Sequence, residues 1–332
     1  MTRTAAAPAR FSRRRALAVL AAAGATLLTG RPAKAAPARW EWRGQAMGAD
    51  ARLILLHPDQ SVARAAADAC AAEIARLEAE FSLYRADSAL SRLNRFGRLD
   101  HPGHDLRRLL AEALGFAHST DGTFDPTVQP LWELYAEHFA RTSGAIPSPE
   151  AVAAVMAAVG WRRVAFSVEA IALAPGTRLT LNGIAQGYIT DRVADLLRAR
   201  GFERVLIDLG ETRALGAGPR NAPWAVGIAE RSGGSALFRI PLEDRALAVS
   251  APAGTVFEPS GRWHHLLDTA TGAPASSWRL VAVRAADATT ADALSTALAA
   301  SPPERSRTIL GAHPGAEAWA MDGNTTLRRI AG

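Results

Sequence analysis

The sequence predicts an α+β fold, and three observations carry that prediction. Apolar residues recur at spacings of three and four across residues 62–81 and again across 106–117, the period of half-buried helices. From residue 161 onward, short alternating or wholly apolar runs dominate, as strands do. Only two helical patterns, around 188–197 and 289–300, interrupt those runs, so strands and helices do not alternate strictly as in an α/β chain.

Taken in order, Arg52–Leu56, with an approach from Trp40, reads as strand. Asp59 or Ser61 caps a helix whose stripe is Val62, Ala66, Cys70, Ile74, Leu77 and Phe81. Cys70 lies on that stripe and reads as a small core residue. Leu106, Leu109, Leu110, Ala113 and Ala117 mark a second helix. Ser148-Pro149-Glu150 starts a third, with Ser as N-cap and Pro in the first turn, and Gly160 closes it. Trp161–Phe166 and Val168–Leu173 read as paired strands, and Arg178–Leu181 as a short strand running into Asn182-Gly183. A helix through Tyr188, Val193, Leu196 and Leu197 ends at Gly201. Val205–Leu209, Trp224–Ile228, Leu237–Leu242, Ala246–Val249, His265–Leu267 and Leu280–Arg284 read as strands, followed by a helix over Thr289–Ala300 and a strand over Ala316–Met321.

The charge balance excludes one class of partner. The chain has 332 residues, 38 Lys+Arg and 32 Asp+Glu, a formal charge of +6. Seven of those bases and no acid lie in residues 1–35, so the remainder is close to neutral. Nucleic-acid binding needs clustered positive charge on the folded domain, and none is expected here. A single cysteine rules out an intrachain disulfide framework and a cysteine-rich metal site.

The basic start is a leader. Phe11-Ser12-Arg13-Arg14-Arg15 precedes an apolar run from Ala16 to Leu28, then the small-residue pattern Ala33-Lys34-Ala35. A membrane helix needs ~20 apolar residues, and this run is shorter. Charged, apolar and small-residue segments in that order make a secretory signal peptide over residues 1–35 of twin-arginine-like type. The expected mature domain is 36–332, soluble and periplasmic, with no transmembrane span.

Four segments bear chemistry. Asp292, Ser295 and Thr296 share one face of the Thr289–Ala300 helix, and their oxygens suit Mg²⁺; the same spacing also describes a solvated face. Leu181–Tyr188 is a strand-to-helix junction with two glycines, which suits an anion at a helix N-terminus or plain close packing. Asp121-Gly122-Thr123-Phe124-Asp125-Pro126 is a turn whose Phe is either a core plug or a wall for a flat ligand. His264-His265-Leu266-Leu267-Asp268 offers an imidazole able to take a hydroxyl proton, or a structural pair.

In this order, with Ala46-Met47-Gly48, Phe81–Ser88 and Ala291–Leu298 added, the segments resemble the ApbE family of FAD:protein FMN transferases over nearly the whole mature chain. The resemblance implies a single two-lobed α+β domain of mixed sheets with packed helices and a central FAD cleft. It implies FAD contacts at Met47, Tyr84, Thr123, Phe124 and Asp125, with Thr180 and Gln186 on two further lining positions. It implies an Mg²⁺ site at the Gly183 carbonyl, Asp292 and Thr296, with Ser295 a further ligand, and a catalytic His265. The chain departs from the family pattern at Thr180, where an acid is usual, at Gln186, at Glu211 and across Ala251-Pro252-Ala253-Gly254.

The implied reaction moves FMN from FAD onto a Thr or Ser hydroxyl of an exported acceptor protein and releases AMP. Rival readings are an FAD pyrophosphatase with water as acceptor, a flavin-binding protein without turnover, and a periplasmic solute-binding protein.

Overall fold

The structure is a computed structural model that describes residues 17–18, 38–142, 145–229, 235–323 and 325–330. The expected leader lies outside the described residues except for β1 (Leu17–Ala18). The hairpin β2 (Arg39–Ala46) and β3 (Ala49–Leu56) turns at Met47 and Gly48, both at positive φ, 50° and 76°. Met47 is held in this uncommon conformation by Glu78, whose Oε1 accepts its N–H at 2.5 Å.

Helix α1 (Gln60–Phe81) is capped by Asp59, which accepts the N–H groups of Ser61 and Val62. Its buried stripe runs Ala63, Ala66, Cys70, Ile74, Leu77 and Phe81. Val62, expected on that stripe, is 42% exposed, because Ala63 and not Val62 turns inward after the cap. Burial pushes the Cys70 thiol up to about 12, so it is an inert core residue. Helix α2 (Ala89–Phe96), strand β4 (Arg98–Asp100) and helix α3 (His104–Ser119) follow, and the five apolar positions expected on α3 are all buried. Next come α4 (Gln129–Arg141) and α5 (Pro149–Met156). The latter has Ser148 as N-cap as expected but ends four residues before Gly160, through two turn bonds, Ala158 N–H to Val155 and Val159 N–H to Met156. Strands β5 (Val164–Phe166) and β6 (Ala170–Leu173) pair with each other, but Trp161–Arg163 is a 3₁₀ turn.

Arg178–Leu181, expected as strand, joins no sheet. Its backbone is satisfied elsewhere: Leu179 donates to Asn94 Oδ1 at 2.7 Å and accepts from Asn94 Nδ2 at 2.8 Å, and Thr180 donates to the Pro126 carbonyl at 2.7 Å. A side-chain amide has taken the place of a neighbouring strand. Helix α6 (Ala185–Ala199), strands β7 (Val205–Asp208), β8 (Thr212–Leu215), β9 (Trp224–Ile228), β10 (Phe238–Leu242), β11 (Ala246–Ser250) and β12 (Leu280–Ala285), helices α7 (Ala288–Ala300) and α8 (Pro303–Gly311), and strands β13 (Glu317–Met321) and β14 (Leu327–Ile330) complete the order. His265–Leu267, expected as strand, makes no ladder; only the isolated bridges Val256↔His264 and Leu267↔Pro274 flank it.

Eight strands form one sheet in the order β14-β13-β12-β11-β8-β7-β3-β2. The smaller sheets are β1-β9-β10 and β4-β6-β5. Every recorded pair is antiparallel, so the mixture is of sheets with helices and not of strand directions. Both faces of the large sheet are covered. Leu53 and Leu55 of β3 join the core under α1, α6 and α7, while Ile54 between them joins the core under the β9–β10 hairpin. Burial on both faces explains why these strands read as apolar runs. No helix of the described residues is long and apolar enough to cross a membrane.

Candidate functional site

The site is built where α6 and α7 cross. A Cβ on Gly187 would lie 2.2 Å from the Ala288 carbonyl oxygen and 2.9 Å from Asp292 Cβ, so only glycine permits this approach. The closeness lets the Gly187 N–H donate to Asp292 Oδ2 at 3.0 Å. Asp292 is fully buried, which excludes the solvated-face reading of its helix. One turn on, the Thr296 hydroxyl lies 3.5 Å from the Gly183 carbonyl oxygen. The carbonyl, the carboxylate and the hydroxyl expected to hold a cation therefore come from the α6 entry and one face of α7. Ser295 turns elsewhere: its Oγ is 2.8 Å from Ser250 Oγ and donates to the Asp292 carbonyl at 3.0 Å, tying α7 to β11.

Beside this crossing is a small, partly open cleft with a cavity volume of about 60 Å³. Its lining includes Thr123, Phe124 and Asp125 from the turn after α3, together with Thr180, Gly183, His265 and Thr296. Phe124 is both plug and wall: it is buried, meets Phe116 edge-on at 6.2 Å, and lines the cleft. Asp125 shapes the turn, since Oδ1 accepts from the Thr127 N–H and hydroxyl at 2.8 and 2.6 Å and Oδ2 from the Trp161 N–H at 2.9 Å. Burial pushes its carboxyl above the ordinary range. Thr123 is buried against the cleft, and its hydroxyl has no hydrogen-bond partner among the described residues. Such a group suits a ligand that can bond to it.

His265 is half-buried, and its Nδ1 lies 3.0 Å from the Thr255 carbonyl, which also accepts the His265 backbone N–H at 3.1 Å. A carbonyl only accepts, so Nδ1 carries a proton, and in the neutral imidazole the lone pair is on Nε2. His264 has the opposite character. It is buried, and loss of hydration pushes its pKa down to about 4, so it stays neutral.

Three expected contacts do not line this cleft. Met47 is buried in the β2–β3 turn, and Gln186 is buried in the first turn of α6 against Gly210. Tyr84 lies between α1 and α2 and is 61% exposed, so it is not a core residue. The sequence reading missed Thr269, which lines the cleft and donates to the Gly122 carbonyl at 2.6 Å; the turn residues after Asp268 were its only signal. Among the described residues no group of three or more His, Cys, Asp and Glu could hold a metal.

The model of the ApbE family matches residues 47–320. The chain belongs to the ApbE family. It is 31% identical over 278 residues to the FAD:protein FMN transferase of Treponema pallidum (strain Nichols), covering 77% of this chain and 76% of that protein. The enzyme of the same name from Vibrio cholerae is 30% identical over 245 residues, covering 70% and 72%. Among solved structures, the ApbE protein of Thermotoga maritima is similar with a TM-score of 0.78 at 27% identity, covering 88% of this chain and 97% of that one. The Pseudomonas stutzeri flavinyl transferase ApbE shares the fold at a TM-score of 0.75 and 24% identity, covering 90% and 99%. The ApbE fold is thus the α+β arrangement described above.

Proposed function

We propose that this ApbE-family chain is an FAD:protein FMN transferase that moves FMN from FAD to a Thr or Ser hydroxyl of an exported acceptor protein and releases AMP. The observation that carries the reading is the convergence of Gly183, Thr296, Phe124, Thr123 and His265 on one cleft beside Asp292. The names of the relatives support the same reaction.

Each part of the site has a task. Phe124 offers an aromatic wall to the flat flavin, and the Thr123 hydroxyl offers a hydrogen bond to a polar atom of FAD. Gly183 stands two residues before α6, whose N-terminal end favours an anionic pyrophosphate. Gly183, Asp292 and Thr296 form an all-oxygen donor set with one carboxylate, which fits Mg²⁺ completed by water and phosphate oxygens. When bound, Mg²⁺ would neutralise charge on the pyrophosphate. The acceptor oxygen attacks the phosphorus on the FMN side, the bond from that phosphorus to the AMP oxygen breaks, and Nε2 of His265 takes the hydroxyl proton. Thr255 holds His265 in the tautomer that allows this.

The leader pattern of residues 1–35 supports work in the periplasm, beside exported acceptors. The test is mass spectrometry of a co-exported candidate acceptor domain after incubation with FAD and Mg²⁺. A covalent FMN adduct on Thr or Ser, with AMP in solution, is expected. FMN and AMP without an adduct would mean water is the acceptor, and intact FAD would mean binding without turnover.

A further inference from the structure

Two short hairpins flank His265, and one side chain holds both. The upstream hairpin spans Thr255–His264: Val256 bridges His264, and the Phe257 N–H donates to the Trp263 carbonyl at 2.7 Å. The Glu258 carboxylate fixes its tip by accepting N–H groups from Ser260, Arg262 and Trp263. The downstream hairpin spans Leu267–Pro274: those two residues bridge, and the Asp268 N–H donates to the Ala273 carbonyl at 2.8 Å. His265 stands in the joint between them.

Tyr135, on α4, is 2% exposed and does not line the cleft. Its ring stacks on Phe257 at 6.0 Å and 16°, and lies 5.3 Å from the Trp263 ring. Both partners belong to the upstream hairpin. Its hydroxyl donates to the Gly272 carbonyl at 2.8 Å, in the downstream hairpin. The ring thus fixes the segment that presents the Thr255 carbonyl to His265 Nδ1, and the hydroxyl fixes the segment that leaves His265. Tethering both sides of the joint restricts where the imidazole can stand.

We infer that Tyr135 is a positioning residue for the His265 imidazole, acting through these two hairpins without touching substrate. The inference rests on the proposed role of His265 for its catalytic meaning, but its geometry can be read without any turnover.

The experiment compares Tyr135→Leu, Tyr135→Phe and His265→Asn with the native chain. Three quantities are measured: FAD affinity, AMP release from FAD with Mg²⁺ and the acceptor domain, and the ¹⁵N resonances of the His265 ring. A misplacement of ~1 Å at a reacting group can cost ~10²-fold in rate. Tyr135→Leu should therefore lower AMP release by up to about 10²-fold while FAD affinity stays within about twofold. Its His265 ring nitrogens should shift towards each other, away from the single Nδ1–H tautomer of the native chain. Tyr135→Phe keeps the stacking and loses the hydroxyl, so it should recover part of the rate. Native turnover and unshifted His265 resonances in Tyr135→Leu overturn the inference. If that variant fails to fold, the same result in Tyr135→Phe overturns it. Native turnover in His265→Asn would instead overturn the role of His265, while the ring resonances would still decide whether Tyr135 orders it.

Discussion

Oδ2 of Asp292 accepts the backbone N–H of Gly187 at 3.0 Å, so one carboxylate locks two helices together and stands beside the expected cation site. Two consequences can be separated. Asp292→Asn keeps an oxygen for the Gly187 N–H but removes the charge; it should retain stability while losing Mg²⁺-dependent FAD cleavage. Asp292→Ala removes both, and loss of a hydrogen bond to a charged group costs ~1.5–3 kcal/mol. Thermal unfolding and FMN release, measured on both variants, check this. Cleavage at the native rate by a folded Asp292→Asn would remove Asp292 from the cation site.

Tyr84 is 61% exposed in the segment that joins α1 to α2. Exposed side chains away from special features change stability by ~0.5 kcal/mol or less when replaced. An aromatic contact with a ligand contributes ~0.5–1.5 kcal/mol beyond area burial. Tyr84→Ala should therefore weaken FAD binding and leave the melting temperature nearly unchanged. A fluorescence titration with FAD reads the first and calorimetry the second. Unchanged affinity would show that Tyr84 does not meet FAD.

Deleting residues 1–35 should leave a chain that folds cooperatively and binds FAD. The described part of that segment, β1, pairs with β9 through only Leu17↔Ile228 and Ala18↔Gly227. Among the described residues, the core beneath β9 is built by side chains from β3, β7, β8, β10, β11, β12 and β13. A broad, non-cooperative melt of the shortened chain would mean the leader region belongs to the fold.

The residues show why some of this was legible in the sequence. The α1 and α3 stripes repeat at helical spacing and bury the positions expected, apart from Val62 beside its cap. Asp292 and Thr296 were readable as a shared helix face, but their environment was not, because burial of α7 on nearly all sides depends on β11, β12 and α6. Arg178–Leu181 has the composition of a strand, yet its partner is the side chain of Asn94, 85 residues away. The Asp121–Pro126 turn reads as a joint between two helices, but the extent of α4 does not show in the sequence, because it begins directly after that turn without a capping side chain. Tyr135 was missed with it, since its meaning lies in contacts 122 to 137 residues further along the chain.

The adjacent histidines should part company under both mutation and pH. The folded pKa of His264 is pushed down to about 4 by burial, against an ordinary 6.5. The unfolded chain therefore binds a proton at His264 that the folded chain refuses. Stability from this group is fully present above about 6.5 and is lost as pH falls towards about 4. Asp208 works against this in the same window, because loss of hydration raises its pKa to about 7 and its contribution is lost as pH rises. Comparing variants isolates the histidine: the stability of His264→Asn should fall less steeply than that of the native chain between these two pH values. A slope equal to the native one would show that His264 protonates in the folded state. His265→Asn should act on chemistry. The Nε2 lone pair, set by the Nδ1 contact with Thr255, is lost with the imidazole, and loss of a general base costs ~10²–10⁴-fold in rate. Transfer to the acceptor should fall by that order in His265→Asn with FAD affinity kept, whereas folded His264→Asn should transfer at close to the native rate at neutral pH. Near-native transfer by both variants would take histidine out of the reaction and leave the positioning of the pyrophosphate by Gly183, Asp292 and Thr296 as its chemistry.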